Sequence, residues 1–173
     1  LNHSGTATIG SANAGSYTIT NLSGISIADG SGGTASNYTL TGGTHNFTIN
    51  QRPLAATIAR QYDGTKTAAG SDLSAFDALQ GGETLTLSGS GTAADDNVAN
   101  GISVSSLGSL ALVNGTGLAS NYSLSSAAIN ITPKTVNLSG TKIYDANTTF
   151  GNSIVTVSSC LLYTSDAADD MQC

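Results

Sequence analysis

Residues 13–40 read NAGSYTITNLSGISIADGSGGTASNYTL, and residues 97–124 read NVANGISVSSLGSLALVNGTGLASNYSL. The two stretches align without a gap at an offset of 84 residues. They share Asn13 with Asn97, and the block Ala35-Ser36-Asn37-Tyr38 with Ala119-Ser120-Asn121-Tyr122. A two-residue difference in the next loop then makes the offset 82. Beyond it Phe47-Thr48-Ile49-Asn50 faces Ile129-Asn130-Ile131-Thr132, Arg52 faces Lys134, and Tyr62-Asp63-Gly64 faces Tyr144-Asp145-Ala146. Self-similarity at a fixed period is the mark of a repeat architecture. The expected organisation is the C-terminal part of one repeat at 1–51, a complete repeat at 52–133, and the start of a further repeat at 134–157.

Within each unit, apolar residues recur two apart, which puts them on one face of a strand. The pairs are Tyr17 and Ile19, Tyr38 and Leu40, Phe47 and Ile49, Leu85 and Leu87, Ile102 and Val104, Ile129 and Ile131, and Val136 and Leu138. Gly, Asn and Asp clusters between them supply turn chemistry. The fold class expected is all-β, as tandem small β domains of about 82 residues, each an immunoglobulin-like sandwich. The alternative is a β-grasp with one short helix at 72–80. For that helix, Ser71 or Asp72 would cap, Leu73, Phe76 and Leu79 recur at helical spacing, and Gly81-Gly82 would end it. A strand-and-loop reading of the same segment stays open. A period near 82 fits autonomous beads better than a parallel β-helix, whose rungs are much shorter.

Composition narrows the field further. Leu, Ile, Val and Phe together number 36 of 173 residues, so folded units with thin cores are expected rather than disorder. Lys and Arg total only five, too few for the ion pairs that support exposed helices. The net charge of −6 leaves no electrostatic footprint for nucleic acid, and no apolar run reaches membrane-spanning length, so neither partner is expected. Leu1 opens the chain without a signal-peptide pattern, and the expectation is an internal fragment.

Both cysteines, Cys160 and Cys173, lie in a tail whose composition breaks with the rest. Residues 160–170, CLLYTSDAADD, resemble the conceptual translation of a transposon-type sequencing adapter. Residues 158–173 are accordingly read as a non-native, adapter-derived tail. Upstream of it there is no cysteine for a disulfide or a thiolate metal site.

The ordered series of motifs resembles the YDG-type repeat of large bacterial adhesins, including filamentous-haemagglutinin-like exoproteins of the two-partner secretion pathway. The matching residues are Arg52–Leu54 and Lys134–Val136, and Tyr62-Asp63-Gly64-Thr65 with Tyr144-Asp145-Ala146-Asn147. They continue with Gly82–Leu87, Asp95–Val98, and Asn37–Leu40 with Asn121–Leu124. Ala146 departs from the pattern where Gly is usual. The resemblance implies a secreted, multi-repeat protein of the bacterial cell surface, with an outer-membrane secretion partner for the parent protein.

No catalytic, cofactor-binding or metal-binding residue is assigned, and an enzyme is not expected. His3 and His45 are the two histidines, in a part-repeat and a loop, without an evident nucleophile partner. Ser139 and Lys142 match Ser-x-x-Lys without its companion motifs. Asp95-Asp96-Asn97 reads as a polar turn, with calcium ligation as the less favoured reading because the expected ligand spacing is missing. Gly89-Ser90-Gly91 and Gly115-Thr116-Gly117 read as turns rather than phosphate cradles. Nine Asn-x-Ser/Thr sequons, at Asn2, Asn21, Asn37, Asn46, Asn114, Asn121, Asn130, Asn137 and Asn147, are of the frequency this composition generates by chance. Tyr38 and Tyr122 are expected on the buried face, with exposed contact roles as the alternative.

The functional expectation is a structural stalk or spacer that projects a binding region for cell attachment. Its alternatives are repeats that bind host or matrix glycans and glycoproteins directly, and a parallel β-helix adhesin segment.

Overall fold

The computed structural model describes residues 1–41, 43–151 and 155–157. The adapter-like tail at 158–173, with Cys160 and Cys173, lies outside the described residues. The chain forms β1 (Asn2–Gly5), β2 (Gly15–Thr18), β3 (Ile25–Ala28), β4 (Asn46–Ile49), β5 (Arg52–Gln61), β6 (Thr67–Ala69) and β7 (Leu73–Phe76). It continues with β8 (Leu85–Ser88), β9 (Ser90–Ala93), β10 (Ala99–Ser106), β11 (Ala111–Asn114), β12 (Tyr122–Thr132), β13 (Leu138–Gly140) and β14 (Val155–Val157). Helical structure among the described residues is confined to single 3-10 turns at Ala35–Asn37, Gly70–Asp72 and Ala119–Asn121. The protein is all-β, and no helix among the described residues is long and apolar enough to cross a membrane.

The largest sheet has six strands in the order β6-β9-β10-β12-β5-β7, and the remaining strands form two-stranded pairs. Alternation along β5 explains why it is central: Leu54, Ala56 and Ile58 are buried while their neighbours are partly or fully exposed. In β12 the alternation changes phase, with Tyr122 buried at one end and Ala127, Ile129 and Ile131 at the other. Ser125 Oγ donates to the Leu54 carbonyl, and the Tyr62 N–H donates to the Thr132 carbonyl. The two long strands therefore run in the same direction, a pairing that needs a long crossover. Here residues 62–121 supply it.

Two compact units divide the chain, and β5 and β12 contribute to both. The first comprises Leu1–Ala55, Phe76–Leu87 and Ala111–Ser125. Its core is Leu54, Leu85 and Tyr122, with Phe76, Ala78, Leu79, Leu112 and Ala119 packed around them. The second comprises Ala56–Ala75, Ser88–Leu110 and the described residues from Ser126 onward. Ala56, Ile58, Ala68, Ala93, Ala127, Ile129 and Ile131 are its buried apolar side chains. Four of those seven are alanine, so the core is thin, as the composition requires.

The sequence offset is reproduced in the backbone. β1 pairs with β3 as β8 pairs with β11. β2 pairs antiparallel with β4, Gly15 opposite Ile49, and β10 pairs antiparallel with β12, with Ala99 opposite Ile131 at the equivalent positions. The later pair carries a bulge between Ala99 and Ile102, where the Gly101 N–H donates to Asn130 Oδ1 at 2.8 Å. The 3-10 turns at Ala35–Asn37 and Ala119–Asn121 fall 84 residues apart and end alike, with the Tyr38 and Tyr122 N–H groups on the Ala35 and Ala119 carbonyls.

Several expectations need correction. The short helix at 72–80 is not formed, because Leu73–Phe76 is a strand beside β5. Asp77 explains the preference: its carboxylate accepts the Ala55 N–H at 2.8 Å, and its own N–H reaches the Ala55 carbonyl. Sheet pairing outweighs three apolar residues at helical spacing. Gly81 and Gly82 do end the segment, in a turn closed from the Glu83 N–H to the Gln80 carbonyl. Tyr38–Leu40 is irregular, and Tyr38 is 57% exposed, whereas Tyr122 is buried as expected. Val136 precedes β13 rather than lying in a strand. The same-direction pairing of β5 and β12 is not a feature of an antiparallel immunoglobulin-like sandwich, so that finer expectation is not confirmed. The antiparallel pairings of β1 with β3, β2 with β4 and β9 with β10 also do not describe a parallel β-helix.

Leu54 is fully buried in the first unit. Leu54→Ala is expected to lower the unfolding free energy by about 2–5 kcal/mol in a denaturant titration. A loss under about 1 kcal/mol would mean that this core is not packed as described.

Candidate functional site

The Tyr-Asp-Gly segment builds one local structure twice. At the end of β5, Asp63 Oδ1 accepts from the Thr65 N–H at 2.9 Å and from Thr65 Oγ1 at 2.9 Å. The Arg60 guanidinium closes the turn from the other side, through Nη1 to Asp63 and Nη2 to the Thr65 carbonyl. One repeat later, Asp145 Oδ1 accepts from the Asn147 N–H at 3.0 Å. Lys142 Nζ takes the place of the guanidinium, at 2.8 Å from Asp145 and 2.6 Å from the Asn147 carbonyl.

Gly64 sits at φ 73° and Ala146 at φ 56° in the equivalent position. Ala146 is the one non-glycine residue at positive φ among the described residues, so Tyr144–Asn147 keeps the turn at the cost of backbone strain. The motif thus survives the Gly-to-Ala difference.

Partial burial pushes the Asp63 carboxyl up, but the Thr65 hydrogen bonds and the Arg60 charge outweigh it and hold the group below its usual value. The Lys142 hydrogen bond, followed by that of Asn147, lowers Asp145 in the same way. The cation three residues before each Asp was legible as Arg60 and Lys142 at the same offset, yet its role emerges only from the geometry.

A second polar cluster lies in the first unit around Tyr122. Its phenol donates to Glu83 Oε2 at 2.5 Å and accepts the Gln80 N–H at 3.2 Å. Donation to the Glu83 carboxylate raises the phenol above its ordinary value. Arg52 Nε donates to the Ala78 carbonyl at 2.7 Å. With the Gln80 amide oxygen facing Arg52, Nη1 and Nη2 reach it at 2.8 and 3.1 Å. Ala12, Ala14, Ile49, Asn50 and Asn121 join Arg52, Gln80, Glu83 and Tyr122 around a shallow hollow. Asn121 links its edges: Oδ1 accepts the Ala14 N–H at 2.8 Å, and Nδ2 donates to Asn13 Oδ1 at 3.0 Å. Gln51 Nε2 adds a hydrogen bond to the Ser120 carbonyl at 3.1 Å. Carboxylate and guanidinium are here tied up in structure, a wiring that fixes loops.

The remaining sequence candidates are similarly occupied. Asp95 Oδ1 accepts from the Asn97 N–H at 3.0 Å and from Asn97 Nδ2 at 2.7 Å, a polar turn, and these bonds lower its carboxyl. No group of three or more His, Cys, Asp or Glu converges among the described residues. Ser139 pairs with Thr156 at 3.1 Å, while the Lys142 ammonium is held in its turn, so the Ser-x-x-Lys pair is not brought together as nucleophile and base. His3 lies on β1, and His45 Nε2 is 2.8 Å from the Leu40 carbonyl. Gly89 and Gly115 mark close backbone approaches: a Cβ there would meet the Ser109 and Thr84 carbonyl oxygens at 2.1 and 2.3 Å. Among the sequons, Asn114, Asn121, Asn130 and Asn147 use their side-chain oxygens inside the fold.

Strand pairings and loop hydrogen bonds that recur one repeat apart define an all-β repeat unit built around a cation–Tyr–Asp turn. Residues 48–131 match the YDG domain family, and the chain carries a YDG domain there, from within β4 to within β12. No curated protein and no solved structure matches the chain.

The Asp63 turn sets a pH dependence. Its folded value lies below the ordinary 3.8, so its stabilisation is complete above that pH and is lost as pH falls through the lowered value. Asp63→Asn is expected to flatten the decline in melting temperature as pH is lowered from about 5 toward 2. Asp95 and Asp145, whose carboxyls are also lowered, continue to contribute to the slope that persists. Identical acid slopes in variant and parent would show that the Asp63 carboxylate is not engaged.

Proposed function

We propose that the chain is a stalk or spacer segment of a secreted bacterial surface adhesin of the filamentous-haemagglutinin-like, two-partner-secreted kind. The observation that carries this reading is the recurrence of the same strand pairings and turns one repeat apart. A spacer needs repetition of one unit, since each added copy extends reach without new chemistry. The polar clusters support the same role, because their charged groups are spent on loops and turns. In this reading the parent protein passes an outer-membrane secretion partner and displays the repeats outside the cell. The absence of cysteine before residue 160 suits transit through an oxidising compartment in an unfolded state.

Direct binding of host or matrix glycans and glycoproteins is the second reading, and the exposed ring of Tyr38 favours it. Two measurements separate these ideas. Antibodies raised against the chain should label intact source cells, and the purified chain should give no saturable signal on immobilised host glycans and matrix glycoproteins. Saturable binding lost in Tyr38→Ala would replace the spacer with the second reading. Unlabelled intact cells, with labelling only after permeabilisation, would contradict both.

A further inference from the structure

We infer that the loop Asp95–Val98 is a docking surface for the next copy of the same repeat, which grips it through the Asn of its Ala-Ser-Asn-Tyr motif. The inference rests on repetition within the chain and not on the adhesin reading.

The contact is already made once. Ala14 and Asn13, in the part-repeat at 1–51, are held by Asn121 of the complete repeat through the Ala14 N–H to Oδ1 and Nδ2 to Asn13 Oδ1. Gln51, between β4 and β5, fastens the same place to the Ser120 carbonyl. Advancing 84 residues from Asn13 and Ala14 leads to Asn97 and Val98.

The two loops are also shaped alike. The Asn13 N–H is accepted by Ser11 Oγ at 3.1 Å, and the Asn97 N–H is accepted by Asp95 Oδ1 at 3.0 Å. Ser11 and Asp95 are again 84 residues apart, and each loop leads straight into equivalent strands, β2 and β10. The gripped member of the pair, Ala14, is half-buried, whereas Val98 is 48% exposed and Asn97 turns back on Asp95. An exposed valine at the position of a covered alanine is what a loop awaiting its neighbour presents.

The gripping side belongs to a complete repeat. Asn121 is positioned by the 3-10 turn at Ala119–Asn121, which is closed by the Asn121 N–H to the Leu118 carbonyl and followed by the buried Tyr122. A further complete copy would bring an identical turn, so the occupant is fixed as repeat rather than as an unrelated protein. Each repeat would then offer its loop to the repeat after it and grip the loop of the repeat before it. Such a contact between consecutive units is heterologous, each unit using one surface toward the repeat before it and another toward the repeat after it.

The test is amide hydrogen exchange by NMR on the full chain, and on the same chain with residues 52–133 duplicated in tandem after Pro133. In the unaltered chain the Ala14 amide is expected to exchange at least roughly tenfold more slowly than the Val98 amide. Asn121→Ala should remove that protection, and Asn121→Asp, which keeps an acceptor oxygen, should retain most of it. In the duplicated chain one of the two Val98 amides should gain protection of the same order, and Asn121→Ala in the downstream copy alone should abolish it. Two Val98 amides that both exchange as in the unaltered chain would overturn the inference. So would an Ala14 amide as fast as Val98 before duplication.

Discussion

The structure depends on burying a small apolar stripe along two neighbouring strands, β5 and β12. Leu54, Ala56 and Ile58 alternate on one, and Ala127, Ile129 and Ile131 on the other. With few large apolar residues in the chain, small ones must share the burial, and Ala68 and Ala93 are buried in the second unit as well. Small side chains fill volume only where backbones come close, since interiors pack to near-crystalline density. Gly89 and Gly115 sit where a carbonyl passes within the reach of a Cβ, and Gly91 is buried outright.

Polar side chains supply what so thin a core cannot. Asp63, Asp95 and Asp145 each fold a loop onto their own carboxylate, Asn114 accepts the Ala119 N–H across a turn, and Asn121 accepts the N–H of the sequence-distant Ala14. These bonds are individually modest. The value of the local ones is directional, because they fix where each strand ends and the next begins. This explains how a chain with so few charged residues places its cations: Arg60 and Lys142 close equivalent turns, and Arg52 braces the segment that carries Gln80.

Much of this was legible in the order of residues. The recurrence of Ala-Ser-Asn-Tyr at an 84-residue offset located equivalent 3-10 turns and strand pairs. Alternation correctly placed strands at Phe47–Ile49, Leu85–Leu87 and Ile129–Ile131. Other features were hidden because they depend on partners distant in sequence. Tyr38 and Tyr122 share a motif, yet only Tyr122 has Leu54, Leu85 and Glu83 around it. The helical spacing of Leu73, Phe76 and Leu79 was misleading because the edge of β5 offered Ala55 to Asp77. Neither the Glu83–Tyr122 bond nor the same-direction pairing of β5 and β12 leaves a local signal.

Residues 1–51 and residues 52–133 are held to fold by the same strand pairings, β2 with β4 and β10 with β12. The most direct measurement is the set of cross-strand nuclear Overhauser contacts in the labelled full chain. Contacts are predicted between Tyr17 and Phe47 on β2 and β4, and between Ile102 and Ile129 on β10 and β12. Observing the second pair without the first would contradict the claim, leaving a repeat visible in sequence that the two segments do not share in structure.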